Sequence, residues 1–171
     1  MKSNLPIQSV LALPVLLLLA MVYQGCSDKA EDRAHNNQVQ LQAASRDTVR
    51  LEITGNDQMR YNKKELRVKA GDVVVLTMKY VGQMPKKVMG HNWVLLKHGV
   101  DMASFAQDAM QAKATDYLPA ARSGDIIAHT KLLGGGESDT ITFDAPAPGT
   151  YTFLCSFPGH YGTMNGLFIV E

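Results

Sequence analysis

The pattern of apolar and polar positions changes character twice along the chain. Residues 10–22 (VLALPVLLLLAMV) are apolar throughout, whereas residues 27–47 (SDKAEDRAHNNQVQLQAASRD) carry few large apolar side chains and no periodicity. From residue 48 onward the period is two, which turns one face of each strand inward. Val49, Leu51 and Ile53 alternate with Arg50 and Glu52, and Gly55-Asn56-Asp57 then signals a turn. Leu66 and Val68 flank Arg67, and Ala70-Gly71-Asp72 leads into a strand at residues 73–81. Further strands are expected at 93–96, 126–131, 140–143, 151–155 and 167–170. Gly and Pro punctuate nearly all of them, which predicts an all-β sandwich. One stretch differs: residues 101–117 (DMASFAQDAMQAKATDY) place Met102, Phe105, Ala106, Ala109 and Met110 at helical spacing. They predict a short helical flap across one side of the sandwich, ending before Pro119.

The apolar run at residues 10–22 is too short for a comfortable span, which needs about 20 residues, and it fits a secretory signal. Pro14 in mid-run and the place at the chain start argue against a buried core helix. The following Gly25-Cys26 resembles a bacterial lipoprotein processing site, with Tyr23 and Gln24 where an aliphatic and a small residue are usual. That resemblance implies cleavage after residue 25 and lipid on Cys26. The alternative is ordinary cleavage near Gly25, which would leave a free thiol in an exported chain. Several acyl chains would anchor stably where one binds only marginally. Residues 26–47 then read as a lipidated cysteine with a flexible polar tether, since such a composition buries too little surface to offset its ordering entropy. The folded domain is expected at residues 48–171, and no internal repeat is visible.

Composition narrows the functional classes. The chain has 171 residues and a 46% hydrophobic fraction, enough for one real core. Its 17 basic and 16 acidic residues give a net charge of +1, so no basic field invites nucleic acid. Two cysteines, Cys26 and Cys155, suggest a disulfide in an exported protein. If Cys26 carries lipid, Cys155 is alone, and a lone thiol survives best when buried, catalytic or bound to metal.

The residues around Cys155 favour metal. Residues 155–164 (CSFPGHYGTM) bring a thiol, an imidazole (His160) and a thioether (Met164) onto one loop between two strands. Two His and one Cys with a weak axial Met is the blue-copper arrangement. The loop supplies one His, and His91, at the head of a strand, is the best candidate for the second. The competing readings are a thiol enzyme, with Cys155 as nucleophile and His91 or His160 as base, and a copper-delivery protein. The first lacks an oxyanion-hole motif and leaves Met164 without a purpose. The second is disfavoured because this loop predicts an enclosed site.

Four separated segments resemble azurin: GNDQM at 55–59, VMGHNWVL at 88–95, AHTKLLGGGE at 128–137 and TFLCSFPGH at 152–160. The Cys155, His160 and Met164 spacing matches azurin's ligand loop, and the similarity covers essentially the whole proposed domain. The signal, Cys26 and tether lie outside it and resemble the arrangement in lipid-anchored azurins. The resemblance implies a Greek-key, cupredoxin-like β-sandwich and a type 1 copper electron carrier without enzymatic activity or small-molecule substrate. It implies one copper held by His91, Cys155 and His160, with Met164 axial and the Gly90 carbonyl opposite. Asn92 would tie the two ligand loops, and the Phe157 backbone would donate to the sulfur. Met59, Met84, Val88, Met89, Phe157 and Pro158 match a docking patch around the exposed edge of His160. The implied partners are redox proteins such as a c-type cytochrome, a terminal oxidase, a peroxidase or a nitrite reductase. The implied location is the periplasmic or outer-envelope side of a bacterial membrane.

Two departures from azurin are visible. The usual disulfide positions read approximately Val49 and Asp72, so one cross-link is missing. A histidine that titrates beside the site in some azurins is replaced at about Tyr80, which predicts a weak pH dependence of the potential between pH 5 and 8. Of the remaining histidines, His35 falls in the tether, His98 in a solvated turn, and His129 at the surface or in a structural role. Trp93, on an alternating strand, is expected in the core.

Overall fold

The computed structural model describes residues 46–171. The expectations for the signal segment, for Cys26 and for the tether up to residue 45 lie outside the described residues. Among the described residues eight strands form two sheets: β1 (Thr48–Gly55), β2 (Glu65–Val68), β3 (Val73–Tyr80), β4 (Val94–Leu96), β5 (Ile126–His129), β6 (Ser138–Asp144), β7 (Gly149–Leu154) and β8 (Asn165–Val170). The three-stranded sheet runs β1-β3-β6 and the five-stranded sheet β2-β8-β7-β4-β5. β1 pairs with β3 and β2 with β8 in parallel, so the first two strands enter different sheets. This is the sandwich that the period-two pattern predicts.

The alternation seen in the sequence explains the packing. On β3, Val74, Leu76, Met78 and Tyr80 are buried while the intervening residues are half-exposed. They meet Trp93, Leu95, Phe153 and Phe168 from the facing sheet in one core. Trp93 is fully buried, with Phe143, Phe153 and Phe168 rings around it. β4 is buried on both faces. Its Val94 and Leu96, with Leu154 of β7, turn away from the main core and pack under Phe105, Ala106 and Ala109.

Those last residues belong to the helical flap, which is shorter than expected. A helix spans Met102–Met110, capped by Asp101, whose carboxylate accepts from the Ser104 N–H at 2.7 Å. The chain then takes a short 3-10 turn at Lys113–Thr115, after which Asp116 and Tyr117 adopt left-handed backbone angles that no helix contains. Met110 lies at the margin of the apolar stripe and is 40% exposed, contrary to its expected inward place. Two further helical pieces were not anticipated: a single turn at Lys86–Met89, begun by Pro85, and a 3-10 segment at Ala120–Asp125, begun by Pro119. We label the single turn α1 and the flap helix α2.

Candidate metal centre

One end of the sandwich gathers the chemistry. The short α1 delivers the chain to Gly90, where a side chain has no room: a Cβ would sit 2.8 Å from the Lys86 carbonyl and 2.9 Å from Leu132 Cγ. His91 follows, and its backbone exchanges two hydrogen bonds with Leu133. Across the site β7 ends at Leu154, and the Cys155 N–H donates to the Met164 carbonyl at 2.9 Å, closing the loop at its base. Inside that loop Gly159 has φ +81, and the Met164 N–H donates to the His160 carbonyl at 2.8 Å.

The result is a compact donor triangle. His91 Nδ1 lies 3.2 Å from His160 Nδ1, and Cys155 Sγ lies 4.0 Å from the first and 3.6 Å from the second. A point equidistant from three atoms so spaced is about 2.1 Å from each, the length of a bond to a first-row metal ion. All three residues are buried, as is Met164. The Gly90 carbonyl oxygen stands 3.9 Å from the sulfur. Met164 and His91 converge over Gly55, where a Cβ would meet Met164 Cε at 3.0 Å and His91 Cδ2 at 3.2 Å. Two imidazoles, a thiol and a nearby thioether form the donor set that suits copper in both oxidation states.

The electrostatics leave the donors ready for a cation. Burial lowers the His91 pKa, and burial together with repulsion from His91 lowers that of His160 to about 4. Both rings are therefore neutral at pH 7 with lone pairs available. Burial raises the Cys155 thiol to about 11, against the backbone N–H groups of Asn92 and Phe157, which favour the thiolate. A buried, protonated thiol is a poor nucleophile and needs a metal to release its proton.

A second layer holds these groups in place. His91 Nε2 donates to the Asn56 carbonyl at 2.9 Å, which leaves Nδ1 as the lone-pair nitrogen. Asn92 bridges the two ligand loops: its Oδ1 accepts from the Ser156 N–H at 2.9 Å and its Nδ2 donates to Ser156 Oγ at 2.8 Å. The buried Tyr61 hydroxyl donates to the Asn92 carbonyl, and burial keeps that phenol protonated. Tyr80 tilts against the His91 ring, centroids 4.3 Å apart, and donates to Asp57 Oδ1 at 2.6 Å.

The expected surface residues divide by exposure. Val88 is 58% and Met84 37% exposed, Met59, Met89 and Pro158 are half-buried, and Phe157 is buried against the His160 ring at 4.7 Å. His160 itself keeps 3% of its surface accessible, and its Nε2 has no hydrogen-bond partner among the described residues. His98 and His129 are exposed, as expected. Residues the sequence did not single out are Gly55, Asn56, Tyr61 and Ser156. The turn signal at 55–57 and the family segment GNDQM contain the first two, and the family segment TFLCSFPGH contains Ser156.

Comparison with known proteins agrees with this geometry. Residues 47–171 match the family described as copper binding proteins, plastocyanin/azurin family. The chain is 43% identical over 120 residues to azurin from Bordetella pertussis, covering 68% of this chain and 79% of that protein. It is 48% identical over 121 residues to azurin from Achromobacter denitrificans, covering 67% and 78%. Among solved structures, reduced auracyanin from Roseiflexus castenholzii superposes with a TM-score of 0.66 at 41% identity, covering 73% of this chain and 98% of that one. Auracyanin A from Chloroflexus aurantiacus, described as a "blue" copper protein, gives 0.66 at 38% identity, covering 72% and 99%.

Proposed function

Because the chain belongs to the plastocyanin/azurin family of copper-binding proteins, we propose that it carries single electrons through a type 1 copper centre. The observation that carries this reading is the buried triangle of His91 Nδ1, His160 Nδ1 and Cys155 Sγ. These three donors would hold the copper, and the Met164 thioether and the Gly90 carbonyl would serve it as weaker donors. Bound copper supplies one-electron chemistry between its two oxidation states and an intense thiolate-to-metal absorption.

The protein's own residues supply rigidity and insulation. Asn92 and Ser156 fix the two ligand loops against each other, and the Asn56 carbonyl orients the His91 ring. A donor set held in this way rearranges little when its charge changes, which keeps the barrier to electron exchange low. Full burial of Cys155 supports a carrier over a thiol enzyme, whose nucleophile needs access and a low pKa.

Electrons enter and leave through the accessible edge of His160. The surrounding Met59, Met84, Val88, Met89, Phe157 and Pro158 dock the partner, and a small, weakly polar contact suits brief redox encounters. The partners are redox proteins of the cell envelope, such as a c-type cytochrome, a terminal oxidase, a peroxidase or a nitrite reductase. The protein is exported and held to a bacterial membrane by lipid on Cys26. Labelled palmitate incorporated into the wild-type chain but not into Cys26→Ser checks the anchor; equal labelling of both would refute it.

The deciding test of the centre is the visible absorption and EPR spectrum of the copper-loaded protein beside Cys155→Ser. An intense blue band with narrow hyperfine splitting, absent in the variant, is the expected result. A pale, ordinary copper(II) spectrum in the wild type would overturn the ligand assignment.

A further inference from the structure

We propose that Tyr61 is a positioning residue for the metal centre, acting through the Asn92 carbonyl to fix the segment that ties both ligand loops. The reading of that centre as a metal site is the one given above. The peptide unit joining Asn92 and Trp93 is gripped at both ends. Its carbonyl accepts from the Tyr61 hydroxyl, and its N–H donates to Thr130 Oγ1 at 2.9 Å. Tyr61, Asn92, Trp93 and Thr130 are all buried, so water cannot replace either bond. Donors and acceptors linked through one peptide polarise each other and strengthen both contacts.

What the clamp holds is the Asn92 side chain, which makes two hydrogen bonds to Ser156, the residue after Cys155. A rotation of the 92–93 peptide would swing that amide away from Ser156 and free the two ligand loops from each other. Tyr61 is itself well placed to resist such a rotation. It closes residues 55–61 by an antiparallel bridge to Gly55, and its ring packs edge-on against Phe153 at 5.6 Å. The same loop also holds His91 through the Asn56 carbonyl. One loop thus grips the 91–92 segment twice, by ring and by backbone, from outside the strand pair that carries the donors. A phenylalanine at position 61 would keep the ring packing and lose only the second grip.

The test compares Tyr61→Phe with Tyr151→Phe. Tyr151 also donates its hydroxyl to a backbone carbonyl, that of Ala147 at 2.8 Å, so each variant loses one such bond. Amide hydrogen exchange is read on the metal-free full chain, and EPR on the copper-loaded one. Tyr61→Phe is expected to speed exchange at Ser156 and Trp93 roughly tenfold and to change the copper hyperfine splitting. Tyr151→Phe is expected to leave both unchanged. Exchange at Ser156 and Trp93 within twofold of wild type in Tyr61→Phe, or equal acceleration in both variants, would overturn the proposal. If Tyr61→Phe does not fold, Thr130→Val, which releases the other end of the same peptide, carries the comparison. Because exchange is read without metal, its result stands apart from the outcome of the copper spectrum.

Discussion

Replacing Gly55 with alanine adds one methyl group where Met164 and His91 converge. The new Cβ would stand 3.0 Å from the terminal methyls of Met164 and Met78 and 3.2 Å from His91 Cδ2. Carbon–carbon contacts settle at about 3.5–4.0 Å, so each neighbour must yield by about 0.3–1.0 Å. The neighbours differ in freedom. His91 is bonded through Nε2 to Asn56 and backed by Tyr80, so the displacement falls on the two flexible methionine ends. Overpacking of this kind costs about 1–3 kcal/mol, and methionine adaptability places the cost near the lower end. In a domain of this size that lowers Tm by roughly 3–10 °C. Because Met164 must move, the copper hyperfine splitting should change as well. Gly162→Ala is the matched control, since a Cβ there meets nothing within 4 Å. Calorimetry and EPR on both variants decide the matter: a Gly55→Ala protein that melts with wild type and gives its spectrum would refute the crowding argument.

Three further outcomes are expected. Copper binding should release about one proton per ion between pH 7 and 9, because the thiol sits at about 11 while both imidazoles are already neutral. Affinity then climbs about tenfold per pH unit in that range, and calorimetry in buffers of different ionisation enthalpy would refute this by finding no proton released. The reduction potential should drift little between pH 5 and 8: the Tyr80 hydrogen bond holds Asp57 below the usual carboxylate range, and burial holds Tyr80 above the usual phenol range. Asp57 loses its charge only as pH falls through that lowered value, and Tyr80 ionises only well above the window, so a strong swing in voltammetry would count against these assignments. In the metal-free protein Trp93, whose Nε1 is buried without a partner among the described residues, should emit far to the blue and resist iodide quenching; an emission typical of exposed indole would reject its placement.

The sequence makes side-chain chemistry legible where residue type and spacing carry it. Cys155, His160 and Met164 share one loop, so their convergence is local, and period-two alternation exposes the strands of both sheets. His91 can be nominated from its place before a strand, although its 3.2 Å approach to His160 is a tertiary fact. Backbone contributions leave no such mark. The Asn56 carbonyl that orients His91 would look the same in any residue, and the Tyr61 hydroxyl reaches Asn92 across 31 positions. The course of the chain beyond the flap helix was hidden for another reason. Asp116 and Tyr117 adopt left-handed angles that their types do not announce. The single turn of α1 after Pro85 was open to inference, since proline often begins a helix.

The pairing of β2 has a bearing on how the protein is made. Its one sheet neighbour among the described residues is β8, at Asn165–Val170, reached after nearly the whole domain has been synthesised. Three of the four donor side chains immediately precede that strand or lie within ten residues of it. A chain whose residues 165–170 are not yet free can thus complete neither the five-stranded sheet nor the metal loop. Pairing across some hundred residues slows folding, because a long loop must close before its contacts contribute. It also makes completion of the sheet and arrival of the ligands nearly the same event, so a chain interrupted before β8 would neither fold fully nor capture metal in this geometry.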